Sequence, residues 1–353
     1  MKKERILYIM GIDWQWIYQR PQIFAEKLAK DYEVTVLFPR SITTGNTKLP
    51  QVEGLDFRIL WTLPYQEKNP IIGKLAMLLN AGLFRDMNDF QMIYVGYPLY
   101  ARYIPEDYKG RIVYDCMDNH EALYPDRKRV GRVLEQENKL IGRCDLLVAS
   151  AKQLQGKVDE VAGYSKSILV RNGMNLQKVC EVKAPVCKEN YNLCYIGTIA
   201  EWFDYGVLRS SLERLPNITY QLIGPANTRV EHAGIVYHGA KPHEELGEAI
   251  REYDCLIMPF VVNEIVAAVD PVKLYEYIAF GKCIVSVYYP EIERFDPYVY
   301  FYESQEEYVE LLHELAKEGF PPKYTKEQQQ EFLQANTWEE RYRVLKEEME
   351  KNA

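Results

Sequence analysis

With 353 residues the chain is too long for one ordinary domain, and two domains of about 150 to 200 residues each are expected. Its hydrophobic content of 47% and charged content of 27% give each half enough apolar material for a core and exclude a disordered chain. A net charge of -8 disfavours a broad nucleic-acid face; the best local basic patch, "DRKRVGR" (126–132), reads first as a solvated helix face.

The opening "MKKERILYIMGIDW" has basic residues, but its short apolar run is soon cut by Asp13, so a first strand is expected rather than a signal peptide. Strand-like runs follow at 5–10, 33–38, 57–60, 92–96, 111–115, 146–150 and 167–172. They are continuously apolar rather than alternating, which predicts strands covered on both faces. Helical patterns lie between them, such as "PQIFAEKLAKD" (21–31), where Pro21 suits a first turn. This alternation predicts a parallel, doubly wound α/β sheet.

The pattern pauses after "RNGMN" (171–175) and restarts with strand-like runs at 193–199, 218–224, 234–239, 254–259, 283–287 and 298–302. A second α/β domain is therefore expected, giving a first domain of 1–175 and a second of 176–325. The tail 326–353 is helical, with Thr337 and Glu340 spaced as a capping box. Seven cysteines with no C-x-x-C pair fit reduced thiols in a cytoplasmic protein. No apolar stretch reaches transmembrane length.

Several chemistries lose their sequence support. There is no G-x-G-x-x-G, no P-loop, no H-E-x-x-H, no G-x-S-x-G and no Asp-x-Asp pair, and the five histidines have no metal spacing. In open α/β sheets ligands bind beyond the carboxyl ends of the strands, so the loops there are the places to look.

"VDPVKLYEYIAFGKCIVSV" (269–287) is the most informative of them. Asp270 reads as an N-cap, Pro271 as the first helical residue and Gly281 as the stop, predicting a helix over 271–280. Lys273 in the first turn opposes the helix dipole, a cost that makes sense if an anion such as a diphosphate sits between them. Glu276, one turn on along the same face, suits sugar hydroxyls; an ordinary surface Lys–Glu pair has the same spacing.

The stretch resembles the second-domain signature of GT-B glycosyltransferases of the large "group 1" superfamily. "GTIAEWFDY", "DPVKLYEY", the "DWQWIYQRPQ" opening, "RNGMN" and the closing "NTWEERY" are similar to a divergent branch found in teichuronic-acid, capsule and exopolysaccharide synthesis. The first glutamate of the superfamily motif falls at Ala268, with Glu264 four residues earlier. The resemblance implies two Rossmann-like domains facing a cleft, with the C-terminal helices packing back on the first. It also implies a nucleotide-sugar co-substrate, expected as a UDP-sugar, with no resident cofactor and no metal. Lys273 and the Pro271, Val272 and Leu274 segment would then meet the diphosphate, and Glu276 the ribose. Gly197, Thr198, Gly224 and His238 end strands at the remaining donor positions.

In the first half, Asp115, Asp118 and His120 cluster after a buried strand. A carboxylate or histidine there suits deprotonation of an acceptor hydroxyl, and Asp118 is the first choice; a turn-capping cluster is the alternative. A related xanthan-type glucuronosyltransferase uses an aspartate in a comparable place as base. Trp14, Trp16 and Arg20, with Tyr97, are candidates to stack on and grip an acceptor, the tryptophans alternatively packing on their own domain. The largely apolar 69–84 and the basic 126–132 suggest a peripheral membrane contact, against core packing for the former.

The expected function is transfer of a sugar from a nucleotide-sugar to a glycan or lipid-linked acceptor in cell-surface polysaccharide synthesis, in the cytoplasm or at the inner face of the membrane. The alternatives are a sugar-nucleotide epimerase of the same fold and a non-catalytic binding module. Whether transfer inverts or retains the anomeric centre stays open.

Overall fold

The computed structural model describes residues 3–124, 126–164, 167–175 and 179–351. The chain divides into two compact units, one of residues 1–171 with 341–353 and the other of 172–340. The expected second-domain start at 176 lies outside the described residues.

Among the described residues seven parallel strands build the first unit: β1 (Arg5–Ile9), β2 (Glu33–Ser41), β3 (Leu55–Thr62), β4 (Met92–Val95), β5 (Arg111–Cys116), β6 (Leu146–Ala149) and β7 (Ser167–Leu169). Their order is β3-β2-β1-β4-β5-β6-β7, with the reversal of winding between β1 and β4. The continuous apolar runs explain the arrangement: β4 and β6 are buried at every position, and Tyr8 of β1 stacks on Tyr94 of β4 at 4.6 Å. Around them stand α1 (Arg20–Asp31), α2 (Pro70–Asn80), the short α3 (His120–Leu123), α4 (Arg127–Arg143) and α5 (Lys152–Ala162).

The second unit repeats the plan with β8 (Tyr191–Ile196), β9 (Ile218–Ile223), β10 (Ile235–Gly239), β11 (Cys255–Met258), β12 (Cys283–Val287) and β13 (Tyr300–Tyr302). The order β10-β9-β8-β11-β12-β13 reverses between β8 and β11. Its helices are α6 (Tyr205–Arg214), α7 (His243–Ala249), α8 (Glu264–Ala267), α9 (Val272–Ala279), α10 (Gln305–Lys317) and α11 (Lys326–Ala335). Leu274, Tyr277 and Ile278 of α9 are fully buried, and each such apolar side chain contributes about 1.5–3 kcal/mol.

One expectation for the tail is corrected. Residues 326–340 belong to the second unit, because Phe332 and Leu333 of α11 join its core with Tyr275 and Phe295. Gln329 also donates to the carbonyls of Cys180 and Ile278, at 3.0 and 2.7 Å. Only from 341 does the last helix, α12 (Trp338–Lys351), belong to the first unit. There Tyr342 and Lys346 both bond Asp31, at 2.7 and 2.8 Å, and Leu345 and Met349 are buried.

Candidate functional site

In the second unit the loops after β8 and β9 and the start of α9 come together. Gly197 and Gly224 lie back to back at φ +140° and +144°, a region that favours glycine. The Gly197 amide donates to Ile223 O and the Gly224 amide to Gly239 O, both at 2.8 Å. A side chain at Gly224 would run into the Gly197 carbonyl, and one at Gly197 would come within 2.9 Å of Lys273 Nζ. Thr198 contributes its carbonyl, which accepts from Tyr195 Oη at 3.0 Å.

Lys273 is half-buried, with Nζ 5.8 Å from the ring centres of both Tyr195 and Phe260. Its ammonium forms no hydrogen bond or ion pair with any described residue. Burial pushes its pKa below the ordinary lysine value, and the charge of Glu276 partly opposes that shift. Helix α9 begins with no side-chain cap, so its first amides remain available to a ligand. A half-buried cation, a close-approach glycine turn and an uncapped helix start are together suited to an anion such as a diphosphate.

The expected cap is corrected: Pro271 takes the N-cap position and helix begins at Val272. Asp270 is buried, and its carboxylate accepts from the Asn172 amide at 2.7 Å, from Tyr275 Oη at 3.0 Å and from Arg294 Nη2. Asn172 Nδ2 returns a bond to Asp270 O at 2.8 Å, so Asp270 ties the start of this unit to the entrance of α9. Sequence spacing conceals this role, since two of the three partners, Asn172 and Arg294, are 98 and 24 residues away. His238 stands apart: its side chain is exposed on β10 and pairs with Gln221 Oε1 at 2.7 Å. Ala268 is buried, and Glu264 is exposed in the first turn of α8.

In the first unit the loops after β4 and β5 converge. The buried Tyr97 meets the edge of His120 at 5.5 Å and receives a 3.2 Å hydrogen bond from Tyr124. His120 is 3% exposed, with no hydrogen-bond partner for Nδ1. Burial, aided by Lys157, lowers its pKa to about 4, so the ring is neutral at pH 7. Asp118 is exposed as a residue, yet its carboxyl is crowded and its pKa rises, with the charge of Asp115 second. Its carboxylate has no hydrogen-bond or ion-pair partner among the described residues. A proton acceptor with a raised pKa and free lone pairs suits general-base work.

The acceptor role expected of Arg20 is corrected. The side chain is buried and clamps Asp115 with two bonds, Nε to Oδ2 at 3.0 Å and Nη2 to Oδ1 at 2.8 Å. Nη1 donates to the carbonyls of Val170 and Arg171, so the guanidinium is committed inside the unit. The two tryptophans separate: Trp14 packs edge-on to Phe57 at 4.8 Å, while Trp16 is 62% exposed. Among the described residues no group of three or more His, Cys, Asp or Glu side chains is placed to hold a metal ion.

Two Rossmann-like units of this topology define a GT-B fold, and solved structures match it over almost the whole chain. Sucrose-phosphate synthase from Thermosynechococcus elongatus superposes with a TM-score of 0.74 at 12% identity, covering 99% of both chains. The lipopolysaccharide outer core galactosyltransferase WaaB gives 0.72 at 11%, covering 99% of this chain and 100% of that one. Anabaena HepE in complex with UDP-glucose gives 0.68 at 11%, covering 98% and 99%.

In sequence the chain is similar to TuaH of Bacillus subtilis (strain 168), a candidate teichuronic acid biosynthesis glycosyltransferase. The two are 25% identical over 240 residues. That stretch is 62% of this chain and 60% of the length of TuaH. No family model matches the chain.

Proposed function

We propose that the protein is a glycosyltransferase that moves a sugar from a nucleotide-sugar, a UDP-sugar as first choice, to a glycan or lipid-linked acceptor in polysaccharide synthesis. The observation that carries it is the ammonium of Lys273, unpaired and half-buried between the Gly197 turn and the uncapped start of α9. The likeness to TuaH and the UDP-glucose bound by HepE support the choice of reaction and donor.

In this reading Lys273 and the first α9 amides stabilise the charge that develops on the leaving diphosphate. Electrostatic preorganisation of this kind is commonly the largest catalytic term. No resident cofactor enters, and no metal is assigned to the diphosphate. Glu276 takes the ribose hydroxyls. Asp118 receives the acceptor proton, and His120 and Tyr97 shape the acceptor side. The bond between the anomeric carbon and the diphosphate oxygen breaks, and one to the acceptor oxygen forms.

The test is turnover with labelled UDP-sugars and a lipid and glycan extract as acceptor, following both label in the acceptor and free UDP. The proposal expects both, with Asp118→Asn lowering the rate at least 100-fold, as for loss of a general base. Epimerised UDP-sugar with no UDP release would replace it with the epimerase reading. Nucleotide binding with neither product would replace it with a binding module.

A further inference from the structure

Helix α2 turns the usual amphipathic order outward. Its inward face is Gly73, Ala76 and Asn80. Asn80 fastens it, donating to the carbonyls of Trp61 and Ala76 at 2.8 and 2.7 Å and accepting from the Trp61 amide at 2.9 Å. Ile71, Leu75 and Leu78, spaced four and three apart, form a stripe that is 71%, 52% and 73% exposed. Leu79 and Met77 flank it, also exposed. A helix so apolar on its outer face departs from the ordinary surface pattern and marks a contact site.

The stripe adjoins a cationic cavity of about 190 Å³. Gly73, Lys74 and Met77 line one side of it, and Arg102, Arg129 and Arg132 line the other. Arg129 is engaged by Glu67 at 2.5 Å and lies over the Tyr124 ring at 3.8 Å. The others are not neutralised. Arg102 has its Nε and Nη2 buried without a hydrogen-bond partner. Lys74 and Arg132 form no ion pair with any described residue. Buried guanidinium nitrogens without acceptors are costly, and a phosphate would satisfy them with the bidentate geometry arginine favours.

We infer that this face docks on a bilayer containing anionic phospholipid, with the α2 stripe at the acyl boundary and a lipid phosphate in the Arg102–Arg132 cavity. Charge decides against a second copy of the chain as the occupant. A symmetric pairing would bring the same uncompensated cations together, whereas an anionic membrane surface attracts them. Among the described residues no helix is long and apolar enough to cross a membrane, so the contact is peripheral.

The test is co-sedimentation of the full chain with vesicles of phosphatidylcholine alone and of phosphatidylcholine mixed with phosphatidylglycerol. No nucleotide is present, so the result stands apart from the donor reading. The wild type is expected on the anionic vesicles and not on the neutral ones, with binding weakened by salt. Each cation near an anionic surface is worth about fivefold, so Lys74→Gln/Arg132→Gln is expected to bind roughly 25-fold more weakly. Leu75→Ser/Leu78→Ser changes only exposed side chains and is expected to release the protein with its melting temperature unchanged. Absence of the wild type from anionic vesicles at low salt would overturn the inference. So would binding by either variant equal to that of the wild type, or a dimer that shields α2 without any vesicle binding.

Discussion

Replacing Arg20 separates two roles for one arginine, because a ligand contact and an internal ion pair fail differently. Asp115 is fully buried and accepts three hydrogen bonds, two from Arg20 and one from Tyr94 Oη at 2.9 Å. Arg20→Met removes two of the three and leaves a buried carboxylate held by a phenol alone. It also removes one donor from each of the Val170 and Arg171 carbonyls. Breaking a buried pair from one side costs about 3–5 kcal/mol. Asp115→Asn should cost a similar amount. Arg20→Met/Asp115→Asn should be less destabilised than the sum of the two single changes, because neither charge is then left alone. Urea unfolding of the four proteins, followed by circular dichroism, measures this. A loss below about 1 kcal/mol in Arg20→Met would refute the reasoning and return Arg20 to the acceptor side.

Three further outcomes are expected. Gly224→Ala forces a side chain onto the Gly197 carbonyl at an unfavourable φ, and should cost at least 1–3 kcal/mol in urea unfolding and weaken nucleotide binding by calorimetry. His120 has its folded pKa depressed to about 4, so the unfolded chain binds the extra proton first as pH falls. Its contribution is complete above about 6.5 and lost on the way down to about 4. At about 1.36 kcal/mol per pKa unit that is roughly 3 kcal/mol, which His120→Gln should remove from the pH dependence of stability. Lys273 has its pKa lowered by burial, so diphosphate affinity should fall with rising pH at a midpoint below 10.5; calorimetry across alkaline pH, with an unchanged affinity up to 10.5, would count against its role.

The strands were legible because fully buried parallel strands are written as short continuous apolar runs, and the thirteen among the described residues fall within or beside such a run. The loops at Gly197 and Gly224 and the start of α9 stood out for a related reason: a glycine closing a strand, or a lysine opening a helix, departs from what propensity favours. What depends on distant partners was hidden. Arg20 looked like a ligand contact because its partner lies 95 residues away, and Asp270 looked like a local cap for the same reason. Tyr195 and Phe260, which wall Lys273, were indistinguishable among 28 tyrosines and 12 phenylalanines. Helix α2 is apolar nearly all round, so periodicity gave no direction for its inner face. Asn80, which sets it, is a polar residue inside that apolar run, and its partner Trp61 lies 19 residues away.

The most direct test of the Lys273 pocket is thermal stability against UDP-, GDP-, dTDP- and ADP-sugars, with wild type and Lys273→Ala side by side. A ligand that binds the folded state alone raises its apparent stability, by about 2.7 kcal/mol at a hundredfold excess over Kd. A clear rise is expected with one nucleotide series, UDP-sugars first, and it should disappear in Lys273→Ala. No rise with any series at saturating concentrations, or the same rise in both proteins, would contradict it.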